Sequence, residues 1–238
     1  MNKLASMIIK NISGWDHPII LDYRANRPPF NMPKLKLTII CCLVLLKVTA
    51  QTSNLTTVKI NGVGSIGLPS NMEIQGGAYK EINERTKEIH GVSSSKVIFQ
   101  QKNLNDFNGR SFQTYARVFI RTQNGNFGDF KKLSDGLTQA EADEVNTTFK
   151  DQNENEAPRA NAIILEWYPA KVTTLNKQKA IKFGYKRQIG TNKPVLVETY
   201  LLQNNDRLHI ITFEYRLDDN NWGATFSIIK SSIRITKK

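Results

Sequence analysis

Four consecutive stretches in the second half of the chain are rich in apolar, β-branched and aromatic residues. These stretches are AIILEWYPAKVTTLN, KAIKFGYKRQ, KPVLVETYLLQ and RLHIITFEYRL, separated by Asn176-Lys177, Gly190-Thr191-Asn192 and Asn204-Asn205-Asp206. Residues of this kind favour strands. Because the turns between the stretches are short, the pattern predicts an antiparallel meander.

Shorter strand patterns precede this meander. Strands at residues 58–60 and 66–68 flank an Asn61-Gly62 turn, which predicts a hairpin that ends at Pro69-Ser70. KVIFQQ is a further strand candidate. TYARVFIRT alternates so that two sets of residues face opposite ways, Ala116, Val118 and Ile120 on one side and Arg117, Phe119 and Arg121 on the other.

A helix is predicted in the middle of the chain. Thr138 with Glu141 three residues later forms a capping box, and Ala142, Val145 and Phe149 form an apolar stripe that we expect to pack across the sheet. KDQNENEAP is interpreted as a solvated connection after this helix. The spacing of apolar residues also predicts a short helix in YKEINERTKEI.

A second helix is predicted at the C-terminal end. Asn220 or Asn221 is the expected N-cap, an apolar stripe follows, and SIRI leaves the helix as an extended tail; the stripe consists of Trp222, Phe226, Ile229 and Ile233. The predicted fold class is therefore α+β, with one antiparallel sheet flanked by a middle helix and a terminal helix.

Residues 32–50 have the order of a secretory signal. Two lysines precede an apolar run of ten residues, Leu37–Leu46, and Val48-Thr49-Ala50 is a small-residue end before Gln51. Ten apolar residues fall short of the roughly 20 that span a bilayer, so a stable transmembrane span is disfavoured. We expect cleavage near Ala50-Gln51 and an exported protein, periplasmic or secreted.

This interpretation divides the chain into three parts. Residues 1–31 are a mis-assigned upstream extension, 32–50 the signal peptide and 51–238 a single α+β domain. The alternatives are a cleaved signal that starts at Met1, and an uncleaved anchor or buried core segment. Both cysteines, Cys41 and Cys42, precede Gln51, so residues 51–238 have no thiol for disulfide, zinc-thiolate or nucleophile chemistry.

The net charge of the chain is moderately basic. The chain carries 33 Lys and Arg against 21 Asp and Glu, a net charge of +12; seven of the basic and two of the acidic residues precede Gln51, which leaves +7 for the remainder. The charges are mixed along the chain rather than clustered. No nucleic-acid partner is expected, because a basic stripe is missing and export removes the usual partner.

Few side chains suggest catalysis or metal binding. After residue 50 the chain has two histidines, His90 and His209, and neither has metal-ligand spacing. His209 shares strand parity with Ile211 and Phe213, which predicts a packed, hydrogen-bonded side chain. GVGSIG has dinucleotide-loop spacing, but Pro69 follows where a helix would be needed. Calcium binding at residues 218–221 is disfavoured against a turn and helix cap. No cofactor or metal is predicted.

Six residues form a candidate ligand face: Arg117, Phe119, Arg121, Lys182, Lys186 and Arg216. Each has the parity opposite to the apolar residues of its own strand. If the strands are neighbours, these side chains make a basic patch, to which Phe119 and the pair Trp167-Tyr168 add flat apolar contact. Such a patch suits an anionic ligand, a glycan or an acidic partner surface. The alternative is a solvated sheet face of mixed charge.

Four stretches between residues 58 and 235 resemble the PsbP-like group: IGLPSNMEIQ, IKFGYKRQ, VETYLLQNNDRLHIITFEYR and WGATFSIIKSSIRI. This α-β-α sandwich is shared by the extrinsic PsbP subunit of photosystem II, the Ran-binding Mog protein and many exported bacterial proteins of unknown role. The resemblance implies a fold and a binding or assembly role without enzyme chemistry.

The expected function is therefore an exported, non-enzymatic binding or assembly module, monomeric or weakly oligomeric. Its partner is a protein or an anionic or glycan ligand of the cell envelope. The alternative is a carboxylate-based hydrolase of the envelope that uses residues such as Glu166, Glu198 or Glu214. Two carboxylates that converge in a concave pocket would favour the enzyme, and an exposed apolar patch beside the basic residues would favour an interaction role.

Overall fold

The computed structural model describes residues 55–76, 96–104, 114–129 and 136–236. The predicted signal at 32–50, the short helix predicted in YKEINERTKEI and His90 lie outside these residues. The elements are β1 (Thr56–Ile60), β2 (Gly64–Leu68), β3 (Met72–Ile74), β4 (Lys96–Gln101), β5 (Ala116–Asp129), α1 (Gln139–Glu156), a 3-10 turn (Ala157–Ala160), β6 (Ala162–Leu175), β7 (Gln178–Ile189), β8 (Val195–Arg216), α2 (Asn220–Ser232) and β9 (Arg234–Ile235).

The described strands form two antiparallel sheets rather than the single sheet that the sequence predicted. The larger has the order β3-β4-β5-β8-β7-β6, and the smaller has the order β1-β2-β9. The predicted hairpin β1-β2 is confirmed, and the extended tail pairs with it as β9. Gly64 makes this third strand possible, because its φ is +148° and a Cβ there would lie 1.9 Å from the carbonyl oxygen of Arg234.

The segment β8 turns back on itself. The hydroxyl oxygens of Thr199 and Thr212 are 3.1 Å apart, although 13 residues of extended strand would separate them by about 43 Å. Asn205, with φ of 59°, lies where the sequence predicted the turn. The first arm pairs with β7 and the second with β5, so β8 supplies the two central strands of the larger sheet.

Side chains of β8 alternate between two cores on opposite faces of the sheet. On the α2 face, Ile211 and Phe213 pack with buried residues of α2, namely Trp222, Phe226 and Ile229. On the α1 face, Leu201 and Ile210 pack with Val145 and Phe149 of α1. Each fully buried Phe or Ile stabilises the fold by about 1.5–3 kcal/mol. The predicted α+β class with helices on both faces of the sheet is confirmed.

The N-terminal end of α1 follows the prediction, and its C-terminal end does not. The Thr138 hydroxyl accepts a hydrogen bond from the Glu141 amide, and the Glu141 carboxylate accepts one from the Thr138 amide. The helix then continues to Glu156, so the solvated connection predicted at 150–158 is wrong. Polar side chains there support the helix themselves, because the buried Asn153 amide donates to the Phe149 carbonyl at 2.7 Å.

The N-cap of α2 is Asp219, not Asn220 or Asn221. Its carboxylate accepts from the Asn221 amide at 3.2 Å and from the Thr114 hydroxyl at 2.6 Å. The predicted apolar stripe of α2 is confirmed as buried. Neither described helix is long and apolar enough to cross a membrane.

Candidate ligand-binding surface

The six residues of the predicted ligand face do not share one face of the sheet. Arg117, Phe119 and Arg121 alternate with Val118 and Ile120, which pack on the α2 side, so the three point to the α1 side. Arg216 points the same way, because it has the parity of Ile210 in the α1 core.

The two lysines of the predicted face lie on the opposite side. Lys182 stands opposite Tyr200, which belongs to the α2 core, and Lys186 has the same parity along β7. Their neighbours Ile181 and Phe183 point into the α1 core. The prediction of a single basic patch is therefore wrong, and the six residues form two groups on opposite faces of the sheet.

The arginine group is largely committed to internal contacts. Arg117 is only 4% exposed, and its guanidinium lies 5.5 Å from the centre of the Tyr115 ring. Next to it, the Glu214 carboxylate accepts from Arg187 at 2.7 Å and from the Tyr115 hydroxyl at 2.6 Å. Arg216 is paired with Asp218. These contacts are suited to holding strands β5, β7 and β8 together rather than to binding a ligand.

The lysine group forms a more open surface that we call the lysine shelf. It lies on the α2 face and consists of Glu166, Tyr168, Lys182, Lys186, Glu198, Tyr200 and Lys230. Lysine side chains there retain between 21% and 32% of their exposure. Three ammonium groups against two carboxylates leave the shelf with a positive balance.

Two of these lysines converge on one carboxylate. Lys182 from β7 and Lys230 from α2 each form an ion pair with Glu198 of β8, one to each oxygen. Both ammonium groups lie 5.6 Å from the centre of the Tyr200 ring, and that of Lys230 lies 4.9 Å from the Phe213 ring. The cations are held by a carboxylate and by aromatic faces, so their positions are fixed by three elements.

The third lysine is fixed in a similar way at the outer end of the shelf. Lys186 pairs with Glu166 of β6, and its ammonium group lies 5.6 Å from the centre of the Tyr168 ring. Tyr168 lies beside Gly184, where an added Cβ would be 3.6 Å from the ring and 2.6 Å from the Val197 carbonyl oxygen. The glycine is therefore required by the close approach of the β8 backbone, while the tyrosine ring packs over it at ordinary contact distance.

Ionisation on the shelf follows from these pairs. Burial opposes ionisation of Glu198, but attraction to Lys230 and hydrogen bonds from both lysines hold its pKa below the usual range. Burial lowers the pKa of Lys230 despite that partner. The hydrogen bond with Glu166 raises the pKa of Lys186 and lowers that of Glu166. The carboxylates of the shelf are therefore anions at neutral pH.

The carboxylates proposed for a hydrolase do not form a catalytic pair. Glu198 faces α2, whereas Glu214 faces α1, so the sheet separates them. Glu166 and Glu198 share a face, but each is paired with lysine and each has a lowered pKa. A general acid needs a carboxyl whose pKa is raised towards neutrality, so neither residue is suited to that role.

His209 has the structural environment that its strand parity predicted. It is fully buried, with Nδ1 2.9 Å from the Thr122 hydroxyl and Nε2 3.3 Å from the Asn204 amide nitrogen. Burial, followed by repulsion from Arg207, lowers its pKa to about 4. Among the described residues, no group of three or more His, Cys, Asp or Glu side chains could hold a metal ion.

Lys182 and Lys186 were predicted from the sequence, whereas Lys230 and Tyr200 were not. Lys230 follows the buried Ile229 directly and lies four residues after Phe226, so the helical stripe did contain a signal: its cation borders the apolar face. The pairing of Lys182 with Tyr200 required the strand register, which the sequence pattern does not contain.

The sequence matches no protein-family model and no curated protein. Among solved structures, the chain is similar to the solution structure of cyanobacterial PsbP (CyanoP) from Synechocystis sp. PCC 6803. The fold resembles that of a PsbP protein. The match has a TM-score of 0.46 and 15% identity, and it covers 79% of this chain and 96% of the PsbP chain. This likeness to PsbP concerns the fold alone.

Proposed function

We propose that the chain is an exported, non-enzymatic binding or assembly module that engages an acidic ligand or partner of the cell envelope through the lysine shelf. The observation that carries this proposal is the convergence of Lys182 and Lys230 on Glu198, with Lys186 further along the same open face. Positions of these cations are fixed before any ligand arrives, which reduces the entropy lost on binding.

Export rests on the sequence of residues 32–50 and remains part of the proposal. Cleavage near Ala50-Gln51 would release a chain of net charge +7 into the periplasm or the medium. The N-terminal residue of the protein recovered from its host tests this. A chain that begins at Gln51 supports export, and a chain that retains Met1 in the cytosol contradicts it.

A neighbouring feature favours interaction over catalysis. Ile163 and Leu165 of β6 are 58% and 46% exposed, and Ile163 stands on the same face as Glu166 and Lys186. An exposed apolar patch beside basic residues is the feature that we expected for a protein that acts by interaction. The hydrolase alternative has no such support, because its candidate carboxylates lie on opposite faces or are paired with lysine.

Binding to immobilised heparin, a polyanion with no sequence requirement, tests the shelf. Two triple variants remove the same charge: Lys182→Ala/Lys186→Ala/Lys230→Ala on the shelf, and the exposed control Lys59→Ala/Lys177→Ala/Lys193→Ala elsewhere. We expect the shelf variant to bind about ten-fold more weakly than the control at the same salt concentration, because local charges act within a Debye length of about 10 Å.

The comparison of the two variants distinguishes binding at the lysine shelf from binding that depends only on the net charge of the chain. If both variants weaken equally, binding follows the overall charge of the chain and the shelf is not the site. Neutral dextran should retain none of the three proteins. A chain that binds dextran as strongly as heparin would contradict the requirement for an anion.

A further inference from the structure

We propose that the outer edge of β6, over residues 162–168, binds an extended acidic segment of a partner protein as an added strand. This inference rests on the proposed function and names the class of partner and the mode of binding. The lysine shelf lies beside this edge and supplies the charge contacts. Main-chain hydrogen bonds supply the rest, as in other cases of strand addition.

The first observation is the position of β6 in the sheet. It is the terminal strand in the order β3-β4-β5-β8-β7-β6, and it pairs with β7 along one side. Among the described residues, no strand pairs with its other side. An edge of this kind presents a row of backbone donors and acceptors that fits another extended chain.

The second observation is that the first half of this edge is less protected than the second half. Proteins guard exposed edges with proline, bulges and charged side chains. Pro169 and the bulge between Tyr168 and Lys171 guard the second half of β6. The first half has one bulge, at Leu165, but no proline, and its large apolar side chains Ile163 and Leu165 are 58% and 46% exposed.

The third observation concerns what lies next to these apolar residues. Ile163 stands opposite Gln188 on β7, and Lys186 is the next β7 residue on that face. Lys182 and the exposed Lys171 stand opposite each other further along the same two strands. An added strand over 162–168 would therefore pass Lys186 and end near Lys171 and Lys182. Glu166 is the one carboxylate of β6 and β7, so lysines outnumber carboxylates along these two strands.

Charge distinguishes an acidic partner from a second copy of the chain. Residues 51–238 carry a net charge of +7, so pairing two copies edge to edge would bring two lysine lines together. Like charges that face each other across paired strands are destabilising. A segment that alternates acidic and apolar residues would instead place carboxylates on the lysines and apolar side chains against Ile163 and Leu165.

A display library of random dodecapeptides, selected on the protein as recovered from its host, tests the inference. We expect enrichment of peptides that alternate apolar and acidic residues. Their affinity should fall about ten-fold or more for Ile163→Thr/Leu165→Thr, which removes apolar contact but keeps strand propensity. The control Ile228→Thr removes an exposed apolar residue of α2 and should leave affinity unchanged. Hydrogen exchange of the amides in 162–168 should slow when an enriched peptide binds.

Each other outcome overturns the inference. If peptide binding depends on Lys182, Lys186 and Lys230 but is normal in Ile163→Thr/Leu165→Thr, the edge of β6 is not the binding site. The proposed function of the lysine shelf would stand. Enriched peptides without an acidic bias, or with unchanged exchange at 162–168, would exclude an acidic added strand. If the selection enriches no peptide and the protein self-associates in sedimentation, a second copy of the chain is favoured as the occupant of this edge. If the selection enriches no peptide and the protein does not self-associate, the edge has no strand partner. Either result would show that the inference is wrong.

Discussion

His209 should make the stability of the fold depend on pH in a defined window. Its ring is fully buried against Thr122 and Asn204. The Asn204 amide donates to Nε2 and also to the Thr236 carbonyl, so Nε2 is the acceptor and the ring proton lies on Nδ1, which donates to Thr122. Protonation would place a second N–H against the Asn204 amide, so the folded protein favours the neutral ring.

The size of the effect follows from the pKa. The pKa of His209 is about 4 in the folded protein, against 6.5 for a histidine exposed to water, so the unfolded chain binds more protons between these values. Stability is therefore complete above pH 6.5 and is lost as the pH falls towards 4. Linkage gives a loss of about 1.4 kcal/mol at pH 5.5 and about 2.5 kcal/mol at pH 4.5.

Urea unfolding of the wild type and of His209→Gln at pH 7.5, 6.5, 5.5 and 4.5 measures this loss. Other titrating groups, including the paired carboxylates, act equally in both proteins and cancel in the difference. We expect the free energy of unfolding of the wild type to fall by about 2.5 kcal/mol more than that of the variant between pH 7.5 and pH 4.5. Parallel pH profiles for the two proteins would refute the assigned environment of His209.

Three further substitutions test the packing around the shelf and the helices, each by urea unfolding. Gly184→Ala should cost about 1–3 kcal/mol, because its Cβ would lie 2.6 Å from the Val197 carbonyl oxygen; an unchanged midpoint would contradict that approach. Arg187→Met should cost about 3–5 kcal/mol by leaving Glu214 buried without its cation, and a smaller loss on also replacing Glu214 with Leu would confirm the cause. Thr138→Ala should cost about 1 kcal/mol through loss of the α1 cap, and no loss would show that the capping box contributes nothing.

Local patterns in the sequence were sufficient for most elements. The Asn61-Gly62 turn, the Thr138 capping box and the α2 stripe each depend on neighbouring residues, and each is present as predicted. The end of α1 was missed because its last turns lack an apolar stripe. The hydrogen bond from Asn153 to the Phe149 carbonyl and the Lys150–Glu154 pair support the helix there without one.

The candidate face was harder to predict because the larger sheet is buried on both sides. In β5 the apolar residues Val118 and Ile120 face α2, whereas in β7 the apolar residues Ile181 and Phe183 face α1. Parity identifies the exposed side of a strand only when one side of the sheet is solvated. Polar residues of β5 and β7 therefore appeared equivalent in sequence although they lie on opposite faces.

The most direct test of the account is to map where a polyanion binds. Lysine side-chain NMR signals of the protein can be followed while a heparin hexasaccharide is added, with the triple variants used to assign them. The largest shifts are expected at Lys182, Lys186 and Lys230. Equal shifts at lysines across the whole surface, or the largest shifts away from the α2 face, would contradict the lysine shelf as the binding site.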